Sequence, residues 1–400
     1  MKFIFLLFIL LLIVKIKAQS AYITNQGDNT VSVINILTDT VSATIPVGTY
    51  PQNISVNPDG SRVYVSNSWS NTVSVINTTN NTVSAVIPVG LDPQGISVSY
   101  NGSKVYVANT NANSVSVINT ATNTVSDTIP VGSSPINLCT SLDGTKVFVT
   151  SWDDTVYVIN TATNIVSAAI VVGFEPIGLT ISPDGNNVYV TNQGSNTLSV
   201  IDIATNSVSA TISVGTRPVG VSVSPNGSKL YVANNLDSSV SVINAYTNTV
   251  IATIAVGSYP VGVSVSSDGS KVYVANFYGN TVSVINAANN TVSSTIPVGF
   301  KPFALGNFIS LGKITSNSQI SNLRTQNSIY PNPATNFLNI TGITCKTSIR
   351  LYDMLGKLVI EKEIESNATV DTSNLTQGIY TLVAEDSKGK TFNKVIVISY

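Results

Sequence analysis

The chain of 400 residues contains no histidine. Without an imidazole there is no Ser-His-Asp or Cys-His nucleophile pair, no histidine general base, and none of the usual zinc or copper sites. Two cysteines are present, Cys139 and Cys345. Cys139 lies in a strand-like run, INLCTS, with no basic neighbour to lower its pKa, and reads as a small buried hydrophobe. The two fall in different expected domains, so no disulfide is expected between them. The acidic pair Asp153-Asp154 offers fewer oxygens than calcium needs. Only 10% of residues are charged and the net charge is −1, which gives no basic footprint for nucleic acid. No catalytic residue, metal site or cofactor is expected. The side chains left with binding chemistry are aromatic, and they sit where an otherwise monotonous sequence varies.

The monotony is a repeat. A Tyr-Val-x-Asn element begins at Tyr22, Tyr64, Tyr106, Phe148, Tyr189, Tyr231 and Tyr273, with steps of 42, 42, 42, 41, 42 and 42 residues. The short step falls in the fourth unit, where the loop after Phe148 has lost a residue and Ser151 replaces Asn. In the second unit, Gln52–Asn57, Arg62–Asn67, Thr72–Asn77 and Thr82–Val89 read as four strands, by apolar alternation and intervening turn residues. An Asp-Gly or Asn-Gly pair marks the first turn of every full unit, as hairpin geometry requires. Ser, Thr, Asn, Val and Ile dominate, a strand-and-turn composition. Four-stranded repeats of this length predict an all-β, seven-bladed β-propeller over residues 19–311. The first unit opens at its second strand, AYITN, and Pro302–Ser310 (PFALGNFIS) supplies the missing first strand, closing the ring. Pro46, Pro88, Pro130 and Pro297 fall near the ends of outermost strands, where they remove edge donors.

In such a blade the second-to-third loop and the blade-to-blade connection (VGxxP) share one face. The first-to-second and third-to-fourth turns share the other, which is polar and uniform apart from Tyr100 and Tyr246. The loop face carries Trp69, Trp152, Phe277 and Tyr278 with Leu236, and, in the connections, Tyr50, Phe174, Tyr259 and Phe300. Asp92, Asp153, Asp154, Glu175, Arg217, Asp237 and Lys301 lie among them. Loops on a rigid scaffold are where binding residues concentrate, and Tyr and Trp give large contact area at low entropic cost. The expected ligand is a surface protein or a glycan. The alternatives are a hydrolase or lyase using carboxylates such as Asp92 or Glu175, a structural surface-layer component, or aromatics that merely cap the core.

The motifs YVAN, TVSVIN and IPVG with their Pro and DG turns resemble the YVTN-family propeller repeats of bacterial and archaeal surface proteins, across residues 21–311. Propeller enzymes similar to streptogramin lyases or copper oxidases depend on histidines that this chain lacks. Residues 1–18 read as a signal peptide: Lys2, twelve apolar residues at 3–14, and a cleavage position at Ala18. The mature chain is expected to be exported, with no spanning helix. Residues 312–328 read as a linker. Residues 329–400 hold 14 of the 39 charged residues and several short strand patterns, which fit a small β-sandwich. This tail resembles a type A sorting domain of the type IX secretion system of Bacteroidetes. The match is carried by Tyr330-Pro331-Asn332-Pro333, by Leu351-Tyr352-Asp353 with Gly356-Lys357, and by Leu375 with Gly378-Ile379-Tyr380. The chain ends VIVISY, without the basic residue common there. The resemblance implies type IX secretion machinery as a partner and a location at the outer surface or outside the cell.

Overall fold

The computed structural model describes residues 16–17, 19–310, 313–314, 328–330, 337–341, 346–353, 357–376, 378–387 and 391–398. The chain divides into two compact units, with the boundary after Ser316.

The first unit is a propeller of seven four-stranded antiparallel blades. Blade 2 is built from Pro51–Val56, Arg62–Asn67, Thr72–Asn77 and Thr82–Pro88, within a residue of the expected bounds. Blades 3 to 7 repeat it, beginning at Pro93, Pro135, Pro176, Pro218 and Pro260. The middle strands depart from simple alternation. Along Arg62–Asn67 every residue after the first is buried, and along Thr72–Asn77 the four central residues are. Each blade is sandwiched between two others, so both faces of its middle strands meet protein. The outer strand Thr82–Pro88, with solvent along one side, keeps the alternation. The core therefore lies in layers between blades: Tyr64 of blade 2 packs with Ile96, Val98, Val105 and Val107 of blade 3. The equivalent Tyr22, Tyr106, Phe148, Tyr231 and Tyr273 are almost fully buried. Burial pushes the Tyr22 phenol up to about 12.

Blade 1 combines Ser20–Asn25, Thr30–Asn35 and Thr40–Pro46 with a strand from the far end of the ring. That closing strand is shorter than the expected Pro302–Ser310. It pairs at Phe303↔Thr24 and Pro302↔Asn25, leaves the ladder, and returns at Ile309↔Ala21. The interruption centres on Gly306, whose φ of 108° is incompatible with a strand. Ala304, Leu305 and Phe308 stay buried through it, so the closure is held by packing as well as pairing. Pro46, Pro88, Pro130 and Pro297 are the last residues of their outer strands.

Cations at the start of second strands reach across to the next blade. Arg62 Nη1 donates to the Thr120 carbonyl (2.6 Å), Lys146 Nζ to Ile203 (2.7 Å) and Lys229 Nζ to Ala287 (2.9 Å). At the closure Lys271 Nζ lies 2.8 Å from Asp39 Oδ2, and the Tyr273 hydroxyl donates to Asp39 Oδ1 at 2.7 Å. Ring closure thus carries an ion pair, half-buried and backed by a second hydrogen bond.

The tail forms a small β-sandwich. Ser328–Tyr330, Phe337–Thr341 and Ala368–Asp371 make one sheet, and Leu358–Ile364, Thr347–Tyr352, Gly378–Asp386 and Thr391–Ile398 the other. Leu338, Ile340 and Val370 of the first share a core with Ile349, Leu351, Tyr380 and Leu382 of the second. The tail motif residues have structural jobs here. Asp353 and Lys357 close a hairpin through Asp353 N–H to the Lys357 carbonyl (3.0 Å) and Lys357 N–H to Asp353 Oδ1 (2.9 Å). Tyr352 ends one strand, Gly378 begins another, and the buried Tyr380 donates its hydroxyl to the Thr376 carbonyl at 2.8 Å. Pro331, Asn332, Pro333 and Gly356 lie outside the described residues, as does Cys345.

In blades 4, 5 and 7 the first turn is held by an aspartate that accepts a serine hydroxyl two residues before it and a backbone N–H two residues after it: Asp143, Asp184 and Asp268. The Ser141 hydroxyl and the Thr145 N–H hold the Asp143 carboxyl below the usual range. For Asp184 and Asp268 partial burial pushes upward, but the Ser182 and Ser266 hydroxyls and the following N–H groups outweigh it. In blades 3 and 6, Asn101 and Asn226 make the same bonds without titrating. A depressed folded-state pKa stabilises above the unfolded value of about 3.9, and the contribution fades as pH falls through the folded pKa. Urea midpoints of the wild type should therefore fall on acidification below about pH 4 more steeply than those of an Asp143→Asn/Asp184→Asn/Asp268→Asn variant. Parallel curves would refute this role.

Candidate binding face

The loop face is built by one device repeated around the ring. Each blade connection leaves an outer strand through Val-Gly, and the glycine lies against a side chain of the next blade, a buried asparagine in six of the seven and the half-buried Tyr157 at Gly132. A methyl group at Gly48 would sit 2.5 Å from Asn67 Cγ, and one at Gly90 would sit 2.6 Å from Asn109 Cγ. The residue two beyond the glycine then adopts the left-handed conformation in all seven connections: Tyr50, Asp92, Ser134, Glu175, Arg217, Tyr259 and Lys301, with φ between 53° and 60°. For a residue with a Cβ this costs roughly 1–2 kcal/mol.

Hydrogen bonds on both sides offset that cost. The N–H of Tyr50 donates to Asn29 Oδ1 of the preceding blade at 2.8 Å, and its carbonyl accepts Ser68 N–H of its own blade at 3.0 Å. Asp92, Ser134, Glu175, Arg217 and Lys301 repeat the first bond with Asn71, Asn113, Asp154, Asn196 and Asn280. The carbonyl bond recurs in all seven connections. The result is a ring of seven closely similar backbone clamps that carry different side chains.

This geometry brings some of the expected residues together and leaves others apart. Tyr50 and Trp69 stack in parallel, with centroids 4.4 Å apart and planes 4° apart, and Trp69 remains 69% exposed. Tyr259, Phe277 and Tyr278 form a second cluster, with Tyr278 at 4.6 Å from Tyr259 and 5.0 Å from Phe277. Tyr259 and Phe277 also pack on the core, as a capping role requires. Lys301 Nζ lies 5.8 Å from the Phe277 centroid and 5.4 Å from that of Phe300. The Phe300 ring rests over Gly27. Trp152 and Phe174 are exposed, and no ring contact joins them among the described residues.

Several acids of this face are engaged in holding backbone. Asp28, Asp154 and Asp237 accept N–H groups of Phe300, Glu175 and Thr216. Asp153 Oδ2 accepts the Tyr157 hydroxyl at 2.8 Å. Burial first, and Asp153 second, raise the Tyr157 pKa. Glu175 sits 3.9 Å from Arg217, a loose and exposed ion pair. Among the described residues no three of Cys, Asp and Glu converge as a metal site.

Sequence reasoning missed four contributors. Phe303 lies edge-on to Phe277 at 6.3 Å. Gln52 and Gln94 stand on the inner strands of blades 2 and 3 and Gln26 follows the second strand of blade 1, with Gln26 Nε2 donating to Gln52 Oε1 at 2.6 Å and Gln94 Nε2 to Asp92 Oδ2 at 3.4 Å. The signal was available in the inner strands, which read PQN and PQG in blades 2 and 3 but PIN, PIG and PVG in blades 4 to 7.

On the opposite face the inner-strand ends surround two adjoining hollows of about 320 Å³ each. Their walls are mainly Val, Ile, Leu, Ser and Thr, with Asn57, Asn307, Tyr100 and Cys139, whose thiol pKa is raised by burial, and they hold no carboxylate, Lys or Arg.

The geometry can be set beside known proteins. Residues 328–398 match the family model described as a secretion system C-terminal sorting domain. The tail is a sorting domain. It marks the chain for type IX export to the cell surface or the extracellular space. Residues 175–251, which run from the start of blade 5 into blade 6, match the model described as lactonase, 7-bladed beta-propeller. A solved structure of Kuenenia stuttgartiensis hydrazine synthase superposes with a TM-score of 0.63 at 23% identity, covering 72% of this chain and 99% of that one. A functionally unknown protein from Desulfotomaculum acetoxidans gives 0.64 at 15% identity, covering 72% and 100%. At such identities the likeness is one of fold. No curated protein matches the chain. Among the described residues no helix is long and apolar enough to cross a membrane.

Blade 6 departs from the clamp. Ser238 stands where the other blades have Asn or Asp, and it makes no bond to Tyr259 N–H among the described residues. Ser238 itself is left-handed, at φ 48°, a conformation Asn tolerates better. Ser238→Asn should restore the bond and stabilise the propeller by about 0.5–1.5 kcal/mol, read as a higher urea midpoint at unchanged m-value. An unchanged or lower midpoint would count against the clamp.

Proposed function

We propose that the propeller is a recognition module at the cell surface or outside the cell, and that its loop face binds a protein or a glycan. The observation that carries this reading is the Tyr50–Trp69 stack, a large flat ring pair held in parallel with the indole mostly in solvent. A ring fixed before binding loses little entropy on contact, which makes such rings effective anchors. Core capping accounts for Tyr259 and Phe277, which pack inward. It gives no reason for the exposure of Trp69, Trp152, Phe174, Tyr278 and Phe300. The sorting tail supports the location, since a chain sent outside meets surface proteins and polysaccharides there.

The test is capture on a glycan array and from isolated outer-surface material, comparing the full chain with a Trp69→Ala/Trp152→Ala variant of native circular dichroism. Wild-type binding should weaken at least about tenfold, the loss of roughly 1.4 kcal/mol or more expected of a central aromatic anchor. Equal binding by both would end the aromatic-face reading.

The match of residues 175–251 to a lactonase model supports a second reading. In it, Glu175 on the loop face acts as a general base for ester or lactone hydrolysis. Hydrolysis of a sugar lactone above the uncatalysed rate, lost in Glu175→Gln, is the expected result. Activity that persists in Glu175→Gln, or none in the wild type, would remove this reading.

A further inference from the structure

We propose that the ligand of the loop face is a carbohydrate, and that its subsite is the arc of blades 1 to 3 formed by Trp69, Gln52, Asp92 and Gln94. This rests on the binding reading above and names its ligand class. A pyranose ring has an apolar face of C–H groups and an edge of hydroxyls. It therefore needs a flat π surface beside uncharged or acidic groups that can donate and accept hydrogen bonds.

That pairing occurs on one side of this face. Trp69 offers the surface, and Tyr50 stacked at 4.4 Å fixes its plane. The neighbouring residue in the same loop, Ser68, donates its hydroxyl to Asp92 Oδ1 at 2.7 Å, which ties the carboxylate to the loop that carries the platform. Asp92 is oriented from its other oxygen by Gln94 Nε2 at 3.4 Å, and no cation pairs with it among the described residues. Gln26 is only 3% exposed and donates to Gln52 Oε1 at 2.6 Å, fixing that amide so that Gln52 Nε2 remains a donor. The same inner-strand position in the other blades is Ile136, Ile177, Val219, Val261 and Phe303, none of which can bond a hydroxyl.

The second aromatic cluster does not compete for the assignment. The Lys301 ammonium already lies near the Phe277 and Phe300 rings, and Tyr259 and Phe277 are turned onto the core. A protein anchor needs no such fan of amides, and of the four subsite residues only Asp92 offers a cationic peptide a carboxylate.

The chain has two tryptophans, so Trp152→Phe leaves Trp69 as its lone indole. The full-length Trp152→Phe protein is titrated with neutral oligosaccharides of the cello-, chito-, laminari- and manno- series while tryptophan emission is followed. The expected result is a saturable change with at least one series, weakened tenfold or more by added Gln52→Ala/Asp92→Asn. Asn is chosen at 92 because it tolerates the left-handed backbone. A saturable change indifferent to those two substitutions overturns the subsite. No change with any series, while the wild type still captures a partner through Trp69, overturns the carbohydrate assignment and leaves a protein-binding face. No change together with no Trp69-dependent capture removes both readings.

Discussion

A fully buried asparagine at the end of the second strand is the constraint on which the rest of the propeller depends. In blade 2 it is Asn67, whose Nδ2 donates to Thr72 Oγ1 at 3.1 Å and Ser74 Oγ at 3.0 Å on the third strand. Asn25, Asn109, Asn192, Asn234 and Asn276 do the same in their blades. A buried amide NH2 group left without acceptors would be costly, so the hydroxyls at these two positions are tied to the asparagine. The same side chain fills the space beside the incoming connection and leaves room there only for glycine. One interaction thus accounts for the Asn of YVxN, the Thr and Ser of TVSVIN, and the Gly of VG. It also fixes where each connection crosses the blade, and therefore where its left-handed residue stands.

Much of this was legible in the sequence, because a repeat multiplies a weak signal. One alternating hexapeptide is ambiguous, whereas seven in register define strand number, order and ring closure. The Asp-Gly and Asn-Gly turns were legible for the same reason, and every one of these glycines has a positive φ. The closing strand was misjudged in length because PFALGNFIS has a strand's composition, while Gly306 breaks the ladder for local reasons. The face on which aromatics lie could be read from topology. Which rings meet could not, since Tyr50 and Trp69 are nineteen positions apart and are brought together by tertiary bonds between their loops, Ser68 N–H to the Tyr50 carbonyl and Trp69 N–H to the Thr49 carbonyl among them. The left-handed residues were invisible for a different reason. Unlike side chains occupy one conformation, so residue type carried no trace of it.

The two faces of the disc obey different rules. On the turn face, charged groups are spent on structure: lysines reach the next blade's carbonyls, Asp39 seals the ring, and turn aspartates hold their own loops. On the loop face each connection is held by the clamp, through a backbone N–H of its own blade and, in all but one, an Asn or Asp side chain of the preceding blade, so the side chain at each left-handed position is free to differ. That separation lets Tyr, Asp, Ser, Glu, Arg, Tyr and Lys occupy equivalent places on one backbone conformation, whose cost the clamp hydrogen bonds offset. A surface can specialise only where fold and side-chain identity are decoupled in this way.

Blade 4 shows that the constraint is one of filling and bonding rather than of asparagine itself. Ser151 replaces the asparagine, and its hydroxyl bonds the Ser133 carbonyl of the incoming connection. Tyr157 takes the place of the serine that elsewhere receives the amide, and its ring fills the vacated volume against Gly132. The glycine survives although its neighbour has changed, because the space is still occupied. With the amide gone, the loop shortens to Trp152, Asp153 and Asp154, and Asp153 anchors the tyrosine that replaced the serine. The shortened loop presents one of the chain's two tryptophans to solvent. The blade that rebuilt its interlock still exposes a large ring on the same face, because the interlock, and not the loop sequence, sets where that face lies.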